Sequence, residues 1–285
     1  MPIVTKENAK PIDYLILGHV TQDLTDSGPR LGGTVAYSGL TANRLGKRVG
    51  IVSSFNPEID LSAIDCLQVC NKASQYSTTF KNIHTPNGRI QYLYDTANCI
   101  SMNDIPPAWM NAEIIHIGPV INEIDMSFLE QLPDDSFFMT PQGFLRSADH
   151  EGRVHPKTWD IPDSITHKAK AIVISNEDVQ NDEVLIEKLA DLCKILVVTE
   201  NEHGARIYWH GDMHRFTAPD MPYVEDTGAG DIFGAAFFCR LNSTRDPWEA
   251  TRFAIHLSSI SVTKRYFESI PDENSVNEAL TDIIG

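Results

Sequence analysis

The sequence has little positive charge, few cysteines and no long apolar run. Its 23 Lys and Arg residues face 39 Asp and Glu residues, a formal net charge of −16. Nucleic acid and anionic membranes are therefore not expected as partners, because their phosphate groups would be repelled. The five cysteines show no CxxC spacing, which argues against a disulfide framework. The apolar stretch 12–17 is too short for a signal peptide or a membrane span, so we expect a cytoplasmic protein.

The chain of 285 residues, 42% of them hydrophobic, can bury a full core, and its apolar runs alternate with helical patterns. Short and almost continuously apolar runs are typical of strands buried on both faces. They occupy 14–18, 48–55, 113–118, 136–140, 171–175 and 195–199. Helical patterns cover 34–45, 61–72, 123–132, 176–193, 230–241 and 247–264. This order predicts an α/β fold with a largely parallel sheet and helices on both faces.

Two segments break this alternation. Residues 75–97 carry β-forming residues around a PNG turn at 86–88, and residues 205–219 turn through HGD at 210–212. Both patterns are typical of antiparallel hairpins. No linker or repeat divides the chain, so we predict one domain over 1–285. Its β lid is formed mainly by about 75–97, with part of 19–32 as a further contribution.

The stretch VEDTGAGDIFGAAF, residues 224–237, is the strongest functional signal. The small residues Gly228, Ala229 and Gly230 let the backbone approach a ligand closely, and the apolar run behind them predicts a helix whose N-terminus favours an anion. Asp231 follows directly, so a carboxylate and an anion cradle lie within a few ångströms. A plain turn explains the glycines but not this second carboxylate. We therefore predict that Asp231 accepts the proton of an attacking hydroxyl beside a phosphate cradle.

A second candidate is the glycine pair Gly32 and Gly33 in front of the predicted helix 34–45. Such a pair is also common as a plain entry turn. Asp23 supports a functional interpretation, because it follows the first strand and the ligand crevice of an open parallel sheet lies beyond the carboxyl ends of its strands. A carboxylate that accepts from neighbouring hydroxyls could hold a polyol there.

Further polar residues follow later strands. Asn176, Glu177 and Asp178 end the strand 171–175, where they could also simply cap the next helix. Thr199 and Gly204 flank the turn after the strand 195–199. Arg146 follows the strand 136–140 and either contacts substrate or phosphate or is a surface charge. The histidines, His19 and His116 among them, lack metal-binding spacing, so structural roles are expected for them.

Together these segments resemble the ribokinase-like (PfkB) sugar and nucleoside kinases over nearly the whole chain. The motif at 226–231, DTGAGD, is the most specific part of the resemblance. The family implies a three-layer αβα body with a small β lid, ATP and Mg²⁺ as cofactors, and a small polyhydroxy acceptor. It also implies a homodimer through the lid as an expectation. The segment MTPQGFLR, 139–146, is similar to that of relatives related to inositol kinases.

The resemblance implies a role for each motif. Asp231 would be the catalytic base, and the amides of Gly228, Ala229 and Gly230 would form the anion hole. The residues expected to bind the acceptor are Asp23, Gly32, Gly33, Tyr37, Gln142 and Arg146. The residues expected to bind the nucleotide are Asn176, Thr199, Asn201, Gly204, Thr227, Gly228 and Gly230.

Four positions depart from the family pattern. Tyr37 replaces an Asn that usually contacts a ribose-type acceptor, and Val179 replaces a Glu that helps to organise Mg²⁺ through water. Glu177, beside Asp178, is the candidate for that indirect metal role. Glu225-Asp226 stands where many relatives have Asp-Thr, which leaves potassium activation open. Asn201 stands where a glycine is common.

Three functions compete at this point. The leading hypothesis is a kinase that transfers the γ-phosphate of ATP to a hydroxyl of a small sugar, polyol such as inositol, or nucleoside. A sugar- or nucleotide-binding sensor without catalysis is the alternative, motivated by Tyr37 and Val179, although a sensor has no need of Asp231. A dinucleotide-dependent oxidoreductase is weaker, because the first strand is not followed by GxGxxG.

Overall fold

A computed structural model describes residues 3–85 and 88–284. Its strands, in chain order, are β1 (Tyr14–Leu17), β2 (Thr21–Thr25), β3 (Gly28–Gly32), β4 (Val49–Phe55), β5 (Gln68–Ala73), β6 (Thr78–Thr85), β7 (Gly88–Asp95), β8 (Ile114–Ile117), β9 (Phe137–Met139), β10 (Arg146–Ala148), β11 (Val154–Pro156), β12 (Ala169–Ser175), β13 (Ile195–Thr199), β14 (Ala205–Trp209) and β15 (Asp212–Phe216). Its α-helices are α1 (Thr34–Arg44), α2 (Met126–Gln131), α3 (Asp163–Lys168), α4 (Glu183–Leu192), α5 (Ala229–Thr244), α6 (Pro247–Ser261) and α7 (Glu273–Ile284).

The body is a nine-stranded sheet in the order β15-β14-β13-β12-β9-β8-β1-β4-β5. From β13 to β5 the neighbouring strands are parallel, and the antiparallel hairpin β14–β15 extends one edge. Successive residues of β1 enter different cores, with Tyr14 and Ile16 on one face and Leu15 and Leu17 on the other. This alternation explains why the strand is apolar throughout. The predicted α/β fold with a largely parallel sheet is confirmed.

Helices cover both faces of this sheet, as the alternating pattern predicts. The residues of α1, α5 and α6 pack in one core, and those of α2, α3 and α4 pack in the other. Helix α6 begins as its sequence indicates, because Asp246 accepts hydrogen bonds from the backbone N–H groups of Trp248 and Glu249 and Pro247 occupies the first turn. Within the two described ranges, no helix combines the length and the apolar character needed to span a bilayer.

The predicted helix 61–72 is wrong. The segment forms a short 3₁₀ turn at Ser62–Ile64 and then strand β5, which pairs in parallel with β4. The open backbone groups of β4 accept this strand, and Val69 and Cys70 are buried beside it. Cys66 is exposed in the preceding turn. Here tertiary pairing outweighs the helical spacing.

A second, four-stranded sheet has the order β3-β2-β6-β7. It combines the two segments assigned to the lid, 19–32 and 75–97, since β2 pairs in parallel with β6 while β2–β3 and β6–β7 are antiparallel hairpins. Pro86 and Asn87 of the predicted PNG turn lie outside the described residues. We call this four-stranded sheet the lid sheet. One side of it packs against the body through Phe80, Val120 and Ile121.

Candidate active site

The DTGAGD segment forms a left-handed turn that starts helix α5. Gly228 has φ of 83° and is the N-cap of the helix, a conformation that residues with a Cβ rarely adopt. The N–H of Ala229 donates to the carbonyl of Asp226 at 3.0 Å, so this amide is used within the turn. A Cβ added to Gly230 would meet no atom within 4 Å, which shows that this side of the turn is open. An anion could approach the first-turn amides from that side.

Asp231 lies in the first turn of α5, whose following residues are almost all buried. Burial raises the pKa of its carboxyl from 3.8 to about 6, opposed by a hydrogen bond from the Thr34 side chain and by the charge of Arg146. The carboxylates of Asp178 and Asp23 add to the increase. A carboxyl with a pKa near neutrality is suited to take up a proton in catalysis. The charges of Asp23, Asp178 and Arg146 are therefore close enough to Asp231 to change its pKa, and we call the space among these four side chains the crevice.

The glycine pair Gly32-Gly33 lies beside Asp23 at the edge of this crevice. A Cβ on Gly32 would lie 2.4 Å from Oδ2 of Asp23, and a Cβ on Gly33 would lie 2.5 Å from the carbonyl oxygen of His19. Gly33 also has φ of 92°. The glycines are therefore required by the close approach of β2 to the start of α1. Asp23 sits in β2 of the lid sheet rather than in a loop after β1.

The inner side of the lid sheet contributes two amides that sequence reasoning did not assign to a site. Asn82 of β6 and Gln91 of β7 are paired, and Nε2 of Gln91 donates to Oδ1 of Asn82 at 3.0 Å. Nη1 of Arg146 donates to Oε1 of Gln91 at 3.4 Å. Because β-strand side chains alternate, both amides share the side of the sheet that carries Asp23 and Phe80. The period-two pattern of the hairpin is the signal that could have found them.

Gln142 and Asp178 connect the turn after β9 with the end of β12. Nε2 of Gln142, in the 3₁₀ turn after β9, donates to Oδ1 of Asp178 at 3.2 Å. Oδ2 of Asp178 accepts from the backbone N–H of Ser175 at 3.0 Å, at the end of β12. The following helix is capped by Asp182 instead of Asn176, Glu177 or Asp178. Those three residues therefore do not cap α4.

The predicted nucleotide residues line the edge beyond β12 and β13. Nδ2 of Asn201 donates to Oε1 of Glu177 at 2.9 Å, and the hydroxyl of Thr199 donates to the carbonyl of Ile174 at 3.4 Å. Nδ2 of Asn176 donates to Oδ1 of Asn181 at 2.7 Å. Gly204 has φ of 95°, and a Cβ there would lie 2.0 Å from the carbonyl oxygen of Phe216. Backbone packing therefore already requires this glycine.

One predicted site residue, Tyr37, occupies another position than expected. Tyr37 is only 2% exposed, and its ring lies beneath Gly228 with its edge toward Tyr266 and Phe267. It supports the DTGAGD turn from below and does not line the crevice, in contrast to the expectation of acceptor contact. Burial raises its pKa, with Asp23 and Asp231 adding to the increase. Thr227 is partly exposed in the turn itself.

His19 and His116 have structural partners, as their spacing predicts. His19 contacts the Thr78 hydroxyl at 2.6 Å and the Asn98 carbonyl at 2.9 Å. His116 contacts the Tyr14 hydroxyl at 2.8 Å and the Thr140 hydroxyl at 2.7 Å, and burial lowers its pKa to about 3. Neither imidazole is placed to accept a proton in the crevice.

The residues at the end of β12 fit a magnesium ion that is shared with phosphate oxygens. No group of three or more His, Cys, Asp or Glu side chains in the described ranges could hold a metal alone. Mg²⁺ usually needs only one or two carboxylates beside water and phosphate. Oδ1 of Asn176 is buried without a hydrogen-bond partner, and Glu177 and Asp178 follow it. This set of oxygen atoms suits the ion.

Comparison with known proteins agrees with this geometry. Residues 166–273 match the family model described as pfkB family carbohydrate kinase. A cytidine kinase of Thermococcus kodakarensis is 22% identical over 86% of this chain and 94% of its own. A pyrophosphate-dependent kinase in the ribokinase family, complexed with a pyrophosphate analog and myo-inositol, superposes with a TM-score of 0.73 at 20% identity, over 87% of this chain and 94% of that one. Arabidopsis thaliana ribokinase complexed with ribose and ATP superposes with a TM-score of 0.70 at 17% identity, over 95% and 99%.

The fold and the site define a kinase with the ribokinase-like architecture, which is a three-layer body with a small accessory sheet. Residues 166–273 carry the similarity to the pfkB family of carbohydrate kinases, and the fold of the chain as a whole is ribokinase-like. The kinase hypothesis is thereby confirmed, in preference to the oxidoreductase hypothesis and the sensor hypothesis.

Proposed function

We propose that the protein transfers the γ-phosphate of ATP to a hydroxyl of a small sugar, a polyol such as inositol, or a nucleoside, with Asp231 as the base. The observation that carries this proposal is Asp231 itself, a carboxylate with a pKa of about 6 at the N-terminus of a buried helix, facing Asp23 across one crevice. The named relatives support the substrate class, because they include a cytidine kinase and kinases complexed with ribose or myo-inositol.

The acceptor is proposed to lie between the lid sheet and the start of α1. Asp23 accepts hydrogen bonds from acceptor hydroxyls. Asn82 and Gln91, on the same side of the lid sheet, and Arg146 offer further donors and acceptors. A cluster of this kind suits a compound with several hydroxyl groups, because each hydroxyl both donates and accepts. The lid sheet excludes water, so ATP is not lost to hydrolysis. A homodimer through the lid remains part of the proposal.

In the proposed reaction the acceptor oxygen attacks the γ-phosphorus, the bond to the β-phosphate oxygen breaks, and ADP leaves. The hydroxyl proton passes to the Asp231 carboxylate. The backbone amides of Gly228 and Gly230 stabilise the charge that develops on the transferred group, whereas the expected contribution of the Ala229 amide is lost because this amide donates to the carbonyl of Asp226. Asn176, Glu177 and Asp178 would hold Mg²⁺, directly or through water, with Thr199, Asn201 and Gly204 along the nucleotide. When bound, Mg²⁺ neutralises the negative charge of the phosphates.

A phosphoryl-transfer assay against a panel of acceptors tests the proposal. Ribose, fructose, myo-inositol and cytidine are each supplied with ATP·Mg²⁺, with pyrophosphate as a second donor, and with or without potassium. We expect transfer from ATP to at least one acceptor, with turnover abolished by chelation of Mg²⁺. Transfer from pyrophosphate alone would overturn the donor assignment, and no transfer to any acceptor from either donor would overturn the proposed substrate class.

A further inference from the structure

One face of helix α1 contacts the catalytic turn at three points. Thr34, Tyr37 and Ser38 lie at positions i, i+3 and i+4 and therefore project from the same face of the helix. All three are buried. This face packs against the N-terminal part of α5, where Gly228 and Asp231 lie, so the helix that follows the acceptor glycines also holds the catalytic turn.

The three residues of α1 contact different atoms of the turn. A Cβ on Gly228 would lie 2.2 Å from the Tyr37 ring, so this ring is the floor of the turn. The Ser38 hydroxyl donates to the backbone carbonyl of Asp231 at 2.9 Å. An interaction of the Thr34 side chain with the Asp231 carboxylate lowers the pKa of that carboxyl, and it is the strongest influence that opposes the increase caused by burial. Backbone and carboxylate of Asp231 are therefore held by residues one helical turn apart on α1.

The packing of Thr34 leaves its hydroxyl little freedom. A Cβ on Gly118 would lie 2.7 Å from Cγ2 of Thr34, so the methyl group packs closely against the end of β8. The residue is 5% exposed and is the first residue of α1, directly after Gly33. A threonine side chain is stiff about χ1, and fixing its methyl group also fixes its hydroxyl. The hydroxyl thus keeps one orientation, one helical turn before Ser38 on the face of α1 that contacts Asp231.

We propose that Thr34 is a positioning residue that fixes the orientation of the Asp231 carboxylate toward the acceptor hydroxyl. Its catalytic consequence rests on the proposed function, whereas the hydrogen bond itself does not. Because Thr34 continues from the glycine pair beside Asp23, the acceptor wall and the base are linked by a single short segment. Displacement of that segment would disturb both together.

The hydrogen bond also has a predictable effect on titration. The charged groups that face Asp231 are Arg146, which lowers its pKa, and Asp178 and Asp23, which raise it. The Thr34 hydroxyl stabilises the ionised carboxylate and therefore, like Arg146, lowers the pKa of Asp231. When the Thr34 hydroxyl is removed, only Arg146 counteracts the two neighbouring carboxylates. The pKa of Asp231 should therefore rise further.

The test is a carboxyl ¹³C NMR titration of the full chain labelled at Asp, with Asp231 assigned from the Asp231→Asn spectrum. Thr34→Val keeps the shape and removes the hydroxyl, and Thr34→Ser keeps the hydroxyl. Thr41→Val is the matched control, since its hydroxyl donates to the carbonyl of Tyr37 on the same helix. We expect the pKa of Asp231 to rise by about one unit in Thr34→Val and to stay near the wild-type value in the other two. Thr34→Ala should reproduce the rise if Thr34→Val does not fold.

An unchanged pKa in Thr34→Val, or an equal shift in Thr34→Ser or Thr41→Val, would overturn the proposal. Kinetics with ATP and the acceptor found active in the panel provide the second readout. We expect kcat to fall about tenfold in Thr34→Val and to be restored by Thr34→Ser, with the acid limb of the pH profile displaced upward. If no acceptor is phosphorylated by the wild type, the proposed function fails while the titration still decides the role of Thr34.

Discussion

The ring of Tyr37 occupies the space in which a Cβ of Gly228 would lie, at 2.2 Å from the nearest ring atom. Gly228→Ala must therefore displace a buried aromatic ring and also adopt φ of 83° with a Cβ. We expect a loss of about 3 kcal/mol in the free energy of unfolding. Gly230→Ala is the control, because its Cβ would meet open space. Urea denaturation should show a change below about 1 kcal/mol for this variant, and equal losses in the two would contradict the account.

Replacement of the proposed base separates chemistry from binding. Asp231→Asn keeps the size of the side chain but cannot take up the acceptor proton, so kcat should fall by about 10²- to 10⁴-fold. Nucleotide affinity should persist, because the amides of the turn belong to the backbone. Turnover and calorimetric ATP affinity are measured on one folded preparation. Near wild-type turnover would assign the base to another group, and an equal loss of ATP binding would make Asp231 structural.

The raised pKa of Asp231 predicts opposite pH effects on activity and stability. Activity needs the ionised carboxylate and should halve near pH 6 on the acid side. Folding instead favours the protonated form, so this contribution to stability is complete below about pH 3.8, the unfolded value, and is lost as pH rises through about 6. Asp231→Asn should therefore gain about 1–2 kcal/mol over the wild type between pH 4 and pH 8, allowing for partial solvent access. Chemical denaturation of both proteins at pH 4 and pH 8 measures this gain. A stability difference between variant and wild type that is the same at both pH values would contradict the prediction.

Asp23 is expected to control acceptor binding and not donor binding. Asp23→Ala removes a carboxylate that would accept from acceptor hydroxyls, and each such charged hydrogen bond contributes roughly 1.5–3 kcal/mol. Calorimetry should show an acceptor Kd raised by one to two orders of magnitude with ATP affinity unchanged. Asp26→Ala, at the exposed turn of the same hairpin, is the charge-matched control and should change neither affinity. A parallel loss of nucleotide affinity in Asp23→Ala would place the acceptor elsewhere.

The amide pair on the inner side of the lid sheet should govern which acceptor is preferred. Asn82→Ala or Gln91→Ala removes polar groups that select among hydroxyl patterns, so the ratio of kcat/KM for two acceptors should change at least about tenfold. Lys81→Ala alters the neighbouring residue on the opposite, exposed side. We expect this control to keep the ratio within about twofold. If all three variants behave alike, the amides do not contact the acceptor.

Local sequence patterns determined most of the architecture. The apolar runs of β1, β4, β8, β9, β12 and β13 predicted buried parallel strands, because a strand covered on both faces needs apolar residues at every position. The helical pattern over 247–264 predicted α6, which begins at Pro247. The DTGAGD motif predicted both a helix N-terminus and a carboxylate beside it. These features depend on interactions between residues that are close together in the sequence, so they can be predicted from the sequence alone.

Contacts between distant segments were decided only by the tertiary structure. Residues 61–72 carry a helical pattern, yet pairing with β4 makes their second half strand β5. Tyr37 looked like an acceptor residue until packing placed its ring beneath Gly228, 191 positions further along the chain. The Asn82–Gln91–Arg146 group exists only because β6, β7 and β10 meet at one crevice. The pattern of a single segment specifies its own backbone, whereas the identity of its neighbours depends on how all the layers pack together.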